Sequence, residues 1–475
     1  MKLQSLGLVL LYVSLVTASL YLAYSHWAYD DPFITYRYAQ NLASGNGFVY
    51  NPGERVLSTT TPLFTLLLAA LVPFWGDLPH LANLISALSM AIGGLFLWDL
   101  AHTWKTPWVG WVGLLLYPFF PLVVTTFGSE TPLYLALCLG AFAFYARRRY
   151  NLAAGLAAIA VLARPDGILV PILLAVDYWI RVRRPIPWTA IWIFLGLLVP
   201  WFLFAWIYFG SPLPVTLAAK QHQGAMAISQ RFAPGLLTVL SPYLKHWYFW
   251  VEIVLAWLGV IWMFWRARIW LLFLSWTALY FLGYTVLGVS RYFWYYAPLV
   301  PGFLAAAGLG ISAIFDVWTN HRPSSARILR WACLGAIVIL AIGQGVHLWR
   351  MRSVSNPRLM AYMAVGEWLQ ENTPLSARVG TLEVGAIGYY AQRPIIDFAG
   401  LIQPEVAAHI DRETTYADSA LWAVERYHPE YLVLHAGVFP ELEQGYAAQK
   451  CRIVKEISGA SFGYNQNLTI YDCRS

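Results

Sequence analysis

Two adjacent carboxylates, Asp30 and Asp31, follow directly on the first apolar run of the chain. Asp31 precedes Pro32, and this pair is typical of a helix start, so we predict that Asp31 caps a helix extending to about Ser44. A cap requires only one side chain. Asp30 is therefore predicted to be free, and a free carboxylate here could take a proton from an incoming hydroxyl as a general base. The alternative is that Asp30 is a solvated acid near the membrane surface.

Three cations could bind an anionic ligand on the same side of the membrane. Arg164 and Asp166 flank Pro165 in "LARPDG", between two short apolar stretches. An interrupted span of this kind indicates a cavity, because the freed backbone groups need protein or water partners. Arginine suits planar, bidentate binding of phosphate, although a structural pair of Arg164 with Asp166 is the competing account. Lys220 and Arg291, from separate outer segments, could add positive charge.

Several further ionisable residues are predicted on the outer side, where they have no role in setting the topology. Charged groups near membrane depth are costly and are therefore candidates for function. Arg37 could pair with an acid or a phosphate, whereas Glu54 and Arg55 follow a predicted turn and could form a loop ion pair. The residues assigned to a supporting or acceptor-binding role are Arg37, Glu54, Arg55, Glu130, Asp166 and His222.

Three of the carboxylates on the predicted outer side could together bind a divalent metal. Asp30, Asp31 and Glu130 could supply its oxygen ligands, provided that they converge in space. No other cofactor is predicted, and the sequence has no glycine-rich phosphate-binding loop.

Composition indicates which elements must position these residues. Of 475 residues, 59% are hydrophobic and 12% are charged, against about 45–50% and about 25% in soluble domains. Apolar segments with basic residues at alternate ends predict about eleven transmembrane helices, with the amino terminus inside and the carboxyl terminus outside. The third span ends at "TTFGSETP". The basic residues at the ends of apolar segments also account for the net charge of +7. Nucleic acid is therefore not predicted as a partner.

We therefore predict a polytopic α-helical membrane protein with two domains. A transmembrane catalytic domain covers 1–349 and includes a large first outer loop at 26–80, and an extracytoplasmic α/β domain covers 350–475. In the second domain, helical and strand patterns alternate. Its predicted helices are 357–372 and 416–427, and its predicted strands are 377–382, 393–398, 430–435, 452–457 and 467–473. If the last two strands pair, Cys451 and Cys473 could form a disulfide; two buried or free thiols are the alternative.

Five segments together resemble a known family. They are "DDPFITYRYAQNLASGNGFVYNPGERV", "SETPLY", "LARPDG", "GSPLPVTLAAK" and "EVGAIGYYAQRPIIDFAGL". The chain resembles the GT-C glycosyltransferases, and within them the mycobacterial arabinofuranosyltransferases that add terminal sugars to cell-wall arabinan. The resemblance implies a polyprenyl-phosphate sugar donor, transfer with inversion, and a general base at Asp30 or Asp31. The capping argument favours Asp30. Where the family often has "PNT", this chain has Pro214, Val215 and Thr216.

The sequence thus predicts an inverting glycosyltransferase of the bacterial cytoplasmic membrane, with its site on the extracytoplasmic side among membrane lipids. The sugar would be arabinofuranosyl or mannosyl, and the acceptor a glycan, lipid or protein of the cell envelope. Asp30 would deprotonate the acceptor, and Arg164, Lys220 and Arg291 would hold the donor phosphate. Two alternatives remain: a transporter or flippase of a lipid-linked sugar, and a non-catalytic subunit of a cell-envelope complex.

Overall fold

The computed structural model describes residues 3–183, 185–226, 229–352, 356–411 and 413–474. Its amino-terminal part contains nine α-helices. They are α1 Leu3–Tyr24, α2 Pro32–Ala43, α3 Pro62–Leu71, α4 Leu78–Thr103, α5 Pro107–Leu115, α6 Pro121–Val124, α7 Thr131–Ala146, α8 Tyr150–Ala163 and α9 Leu169–Asp177. Proline occupies the first or second position of α2 to α7. Its missing N–H has no helical partner there, so it begins a helix without loss of a hydrogen bond.

Seven further helices complete the membrane part. They are α10 Trp188–Phe209, α11 Thr216–Ala225, α12 Phe232–Leu240, α13 Trp247–Arg266, α14 Leu271–Leu287, α15 Val300–His321 and α16 Ala326–Met351. The backbones of α13 and α15 approach very closely at Gly259, where an added Cβ would lie 1.8 Å from the carbonyl oxygen of Ala306. Small residues at such crossings are typical of helix packing inside membranes.

Seven of the described helices, α1, α4, α10 and α13 to α16, are long and apolar enough to cross a membrane, whereas α3, α7 and α8 are apolar but shorter. The third predicted span is not one continuous helix, because a tight turn at Tyr117–Phe119 separates α5 from α6. Around "LARPDG", α8 and α9 flank the turn Pro165–Ile168, which gives the interrupted pair that the sequence predicts. The count of about eleven spans stays a prediction.

The chain ends in a small α/β domain. Its helices are α17 Pro357–Asn372, α18 Ala386–Ala391, α19 Pro404–Ala408, α20 Tyr416–Tyr427 and α21 Ala448–Lys450, and its strands are β1 Val379–Thr381, β2 Ile395–Asp397, β3 Tyr431–His435, β4 Arg452–Ile457 and β5 Leu468–Asp472. The sheet order is β2-β1-β3-β5-β4. β1 is parallel to β2 and β3, while β5 is antiparallel to β3 and β4. All five predicted strand segments lie in this sheet, and a disulfide joins Cys451 to Cys473 beside the β4–β5 pair.

The first outer loop is fastened to this domain by buried polar contacts. The Arg37 guanidinium donates to the carbonyl oxygens of Gly388 and Arg393, besides one in its own loop. Asn51 exchanges two hydrogen bonds, each of 2.9 Å, with the backbone of Ile395. The prediction that Arg37 pairs with an acid or a phosphate is therefore wrong. Its role is structural, since buried carbonyls need donors wherever two segments meet.

Candidate active site

A cavity of about 420 Å³ lies among the ends of several membrane helices and the loops that join them, beside the first long loop at 26–80. Five of the predicted site residues line it, and they come from four separate places along the chain. They are Asp31, Glu130, Arg164, Asp166 and Lys220. The rest of the lining is mainly apolar and aromatic, with a threonine-rich segment at 58–61. A mostly apolar cavity with a few convergent charged groups has the character of a ligand site.

Asp31 does not cap α2 with its side chain. Its backbone has helical angles, φ −53° and ψ −43°, and within the described part of the chain its carboxylate makes no capping hydrogen bond. A side-chain cap requires an extended backbone at that position, so the capping prediction is wrong. The Asp31 carboxylate instead lines the cavity, with Oδ2 3.5 Å from Nζ of Lys220.

Asp30, which we predicted to be free, is the carboxylate with a structural partner. Its Oδ1 accepts a hydrogen bond of 2.8 Å from the backbone N–H of Ala386, and its Oδ2 accepts one of 3.1 Å from Gly385. A Cβ at Gly385 would lie 2.1 Å from the carbonyl oxygen of Asp30, so only glycine permits this approach. Asp30 therefore holds the start of α18 against the membrane part, and the structural role predicted for Asp31 belongs to Asp30.

The environment of Asp30 also changes its acidity. The pKa of Asp30 is raised from 3.8 to about 8, first by burial and then by the nearby carboxylates of Glu383 and Asp31, against the two backbone N–H groups that lower it. Burial likewise raises the pKa of Glu383. Asp30 therefore tends to retain a proton near neutral pH, because desolvation disfavours the charged form and like charges repel.

This shift predicts a pH-dependent stability. The folded protein keeps a proton on Asp30 that the unfolded chain loses, so the stabilisation is complete below about pH 4 and is lost as the pH rises through about 8. We expect Asp30→Asn to gain thermal stability relative to wild type as the pH is raised across this range. Melting temperatures of both proteins in detergent, measured between pH 5 and 9, would show it. Glu383→Gln should flatten the wild-type profile in part, whereas parallel profiles for wild type and Asp30→Asn would contradict the assignment.

Lys220 is positioned by α11 at the wall of the cavity. Its side chain is buried, and Nζ lies 4.1 Å from the centre of the Tyr292 ring, a cation–π contact. Burial alone would lower the pKa of Lys220, but Asp31 and the surrounding tyrosines outweigh it and raise the pKa. Lys220 is therefore a stable cation that faces the cavity, with a single carboxylate as its ion-pair partner among the described residues.

Arg164 is held by many protein groups. Its guanidinium donates to both carboxylate oxygens of Asp166, with a shortest distance of 2.8 Å, to Glu130 at 3.1 Å, and to the hydroxyls of Thr131 and Tyr284. Of the two accounts left open by the sequence, this geometry matches the structural pair. The arginine neutralises two buried carboxylates at the edge of the cavity, so a phosphate would have to displace protein partners to bind it.

Arg291 and His222 lie away from the cavity. The Arg291 side chain is exposed and donates to the Oε1 of Gln230 at 2.6 Å. A ring nitrogen of His222 lies 2.5 Å from the carbonyl oxygen of Ala407, so it is the donor in a contact between α11 and the carboxyl-terminal domain. Neither residue is among the described residues that line the cavity.

Glu54 and Arg55 do not form with each other the loop ion pair that the sequence allowed. Glu54 accepts a hydrogen bond of 3.0 Å from Asn51, whereas the Arg55 guanidinium lies over the ring of Tyr208 at 4.5 Å. Both residues are exposed. Their contacts fix the first outer loop, and they are absent from the described lining of the cavity.

A second cavity, of about 380 Å³, lies between the membrane part and the carboxyl-terminal domain. Asp31 and Lys220 line both cavities, so these two side chains lie between the first cavity and the second. The carboxyl-terminal side of the second cavity is polar and includes Arg358, Glu383 and Tyr416. None of these three residues is predicted from the sequence as part of the site. Glu383 does begin the segment "EVGAIGYY", but no local pattern brings it next to an aspartate in the first loop.

The predicted metal-ligand set does not form. In the part of the chain that the structure describes, no three or more Asp, Glu, His or Cys side chains are grouped as a metal site would require. Asp30 is bound to the backbone of the carboxyl-terminal domain, and Glu130 is paired with Arg164. Each of the three carboxylates already has a protein partner, since Asp31 lies 3.5 Å from Lys220.

The comparisons with known proteins agree with this architecture. A family model described as "Domain of unknown function (DUF8728)" matches residues 350–471. No curated protein matches the sequence. Among solved structures, ArnT from Cupriavidus metallidurans bound to undecaprenyl phosphate is similar over 99% of this chain and 98% of its own, with a TM-score of 0.64 and 15% identity. The apo state of the same protein gives a TM-score of 0.66 over 98% of each chain, also at 15% identity.

A second kind of protein has the same fold. The apo oligosaccharyltransferase from Archaeoglobus fulgidus is similar over 94% of this chain and 71% of its own, with a TM-score of 0.54 and 14% identity. These similarities establish the fold class: the chain is an integral membrane protein with the GT-C fold and a carboxyl-terminal sheet domain. At such identities the fold alone is shared, so the function must be argued from the site.

Proposed function

We propose that this protein is an inverting glycosyltransferase that moves a sugar from a polyprenyl-phosphate donor to an acceptor hydroxyl at the outer face of the bacterial cytoplasmic membrane. The observation that carries the proposal is the pair formed by Asp31 and Lys220, which faces two cavities at once. One member can accept a proton and the other can hold a phosphate. Inverting transfer needs a base at the acceptor hydroxyl and a cation at the departing phosphate, on opposite sides of the anomeric carbon.

The first cavity suits the donor. Its lining includes the apolar side chains Ile168, Leu169, Leu217 and Leu287, beside the Lys220 ammonium. A polyprenyl phosphate presents the same combination, an isoprenoid tail joined to an anionic head. The similarity to a structure bound to undecaprenyl phosphate supports a carrier of this class.

The second cavity suits a hydroxyl-rich acceptor. Arg358, Glu383 and Tyr416 offer a charged donor, a carboxyl group and an aromatic ring, the side chains that bind sugar hydroxyls and stack on sugar rings. An acceptor bound here would reach Asp31 from the side opposite to the donor. This favours a glycan, or the glycan part of a glycolipid or glycoprotein.

The reaction can be written from these groups. Asp31 takes the proton of the acceptor hydroxyl, whose oxygen forms a bond to the anomeric carbon of the donor. The bond between that carbon and the phosphate oxygen breaks on the opposite face, and its electron pair leaves with the polyprenyl phosphate. Lys220 stabilises the charge on the departing phosphate. Attack opposite to the leaving group inverts the anomeric configuration.

The sugar we propose is arabinofuranosyl, on the resemblance of the five sequence segments, with mannosyl as the second choice. The test is a transfer assay with purified protein in vesicles, polyprenyl-phosphate arabinofuranose or mannose, and cell-envelope glycan fragments. We expect a single inverted product with one of the two donors, identified by mass spectrometry and by the anomeric proton signal. Movement of donor across the vesicle membrane without any transfer would instead favour a lipid-linked sugar transporter.

Lys220→Met provides the donor-side test. Loss of the cation should raise the KM for the donor and lower kcat, for a combined loss of about 10²–10³-fold, while the KM for the acceptor changes little. Arg291→Met is the matched control, because it removes an exposed cation outside the described cavity linings. Equal effects of the two substitutions would show that Lys220 does not hold the phosphate.

A further inference from the structure

A third cavity lies at the other end of the helix bundle. It has a volume of about 420 Å³ and is formed where α4 meets α5, where α13 meets α14, and by the end of α15. The start of α4 contacts the loop before Asp30, since Asn83 donates to the carbonyl of Trp27 at 2.8 Å. The 26 residues of α4 span roughly 39 Å at the usual rise per residue. The third cavity is therefore a membrane thickness away from the candidate active site, at the predicted inner face.

The lining of this cavity is basic. Lys105, Arg266 and Arg268 contribute three positive charges, against the single carboxylate of Asp316 in the described lining. All three cations are exposed. Basic residues at inner helix ends are expected from topology alone, so charge by itself would not indicate a site. These three cations, however, surround a formed cavity between helices.

The same cavity has aromatic walls that are fixed in place. Trp104, Trp108 and Trp262 line it. The Trp104 ring packs edge-on against Trp270 at 4.8 Å, and Trp270 donates a hydrogen bond of 3.2 Å to the hydroxyl of Thr106. Tryptophan is enriched at the level of lipid headgroups because its ring is apolar and its N–H is polar. The walls thus have the chemistry of the membrane interface.

Exposed apolar side chains of α13 lie beside the cavity, next in the chain to its lining residues Trp262 and Arg266. Ile261, Phe264 and Trp265 are 54%, 50% and 77% exposed, directly before Arg266. A soluble phosphate would not use such a surface, whereas the acyl chains of a lipid would cover it. The cations and these apolar side chains together match one kind of molecule.

We propose that this cavity binds the headgroup of an anionic glycerophospholipid, with its phosphodiester at Lys105, Arg266 and Arg268 and its acyl chains along α13. Basic pockets between helices at the inner side of a membrane bind anionic headgroups. A zwitterionic lipid fits less well, because its ammonium would meet the excess of positive charge and could pair only with Asp316. The site is separate from the sugar-transfer site and does not depend on the function proposed above.

The test is native mass spectrometry of the full-length protein, titrated with phosphatidylglycerol, phosphatidylethanolamine or inorganic phosphate. We expect phosphatidylglycerol to bind at least ten times more tightly than phosphatidylethanolamine. The double variant Lys105→Gln, Arg268→Gln should lower the apparent affinity for phosphatidylglycerol by roughly 30-fold, from about fivefold for each surface cation. Both side chains are exposed, so folding should be unaffected. The second variant is Arg268→Gln alone, for which we expect about a fivefold loss of affinity for phosphatidylglycerol.

The control is Arg148→Gln, Arg149→Gln, which removes two exposed cations from the turn between α7 and α8. It should leave the affinity unchanged, because neither residue is in the described lining. Equal losses in the control and the double variant would overturn the proposal in favour of general surface attraction. Displacement of phosphatidylglycerol by an equal concentration of inorganic phosphate would overturn it in favour of a soluble-phosphate site.

Discussion

Asp31→Asn is expected to lower the turnover number for sugar transfer by about 10²–10⁴-fold, the range that a positioned general base contributes. Asparagine keeps the shape of the side chain but cannot take the acceptor proton. The KM for the donor should stay the same or fall slightly, because Lys220, 3.5 Å from the lost carboxylate, becomes fully available to the phosphate. Initial rates in vesicles, at varied donor and acceptor concentrations, would separate the two parameters.

Asp30→Asn is the matched control for this prediction. The two residues are neighbours with the same chemistry and both line the second cavity, but the carboxylate of Asp30 accepts hydrogen bonds from the backbone N–H groups of Gly385 and Ala386. Its substitution should change stability and its pH dependence more than turnover. If Asp30→Asn abolished transfer while Asp31→Asn remained active, the general base would be Asp30, as local helix chemistry first suggested.

Arg164→Ala is expected to destabilise the protein by about 3–5 kcal/mol, the usual cost of removing one partner from a buried ion pair. Arg164 is only 5% exposed and neutralises both Glu130 and Asp166. Its loss would leave two carboxylates facing each other beside an apolar cavity. We expect a lower melting temperature in detergent and a smaller yield of folded protein from membranes.

The control for Arg164→Ala is Arg291→Ala, an exposed arginine whose side chain bonds to Gln230. It should leave the melting temperature nearly unchanged, because surface contacts contribute little to stability. One result for Arg164→Ala would instead support the donor-binding role of Arg164. If Arg164→Ala melted like wild type but no longer bound polyprenyl phosphate, the arginine would be a donor-binding residue and not a structural one.

Helices and strands that depend on neighbouring residues in the chain were predicted well. The helix α17 has the predicted bounds 357–372, and all five strand segments of the carboxyl-terminal sheet were located. Hydrophobic periodicity and turn residues act over a few neighbours, so they are visible in the sequence. The interrupted pair around "LARPDG" was likewise predicted, because the residue before a proline disfavours the helical conformation and α8 ends just before Pro165.

The candidate site was predicted only in part. Asp31, Arg164 and Lys220 do line one cavity, but Arg291 and His222 do not. The sequence shows which charges lack a topological role. It does not show their partners, and the partners decide whether a charge is available to a ligand.

The two aspartates show this difference most clearly. The Asp–Pro pattern is a local signal, and it correctly marked the start of α2. The choice between the two carboxylates depended on backbone angles at Asp31 and on N–H groups 355 residues away from Asp30. By itself, the sequence determined the membrane class, most of the regular elements and the set of candidate charges, because these follow from local composition and periodicity. Only the tertiary structure decided that Asp30 fastens the carboxyl-terminal domain and that Asp31 faces the cavities, because burial and hydrogen bonding between distant segments exist only in the folded chain.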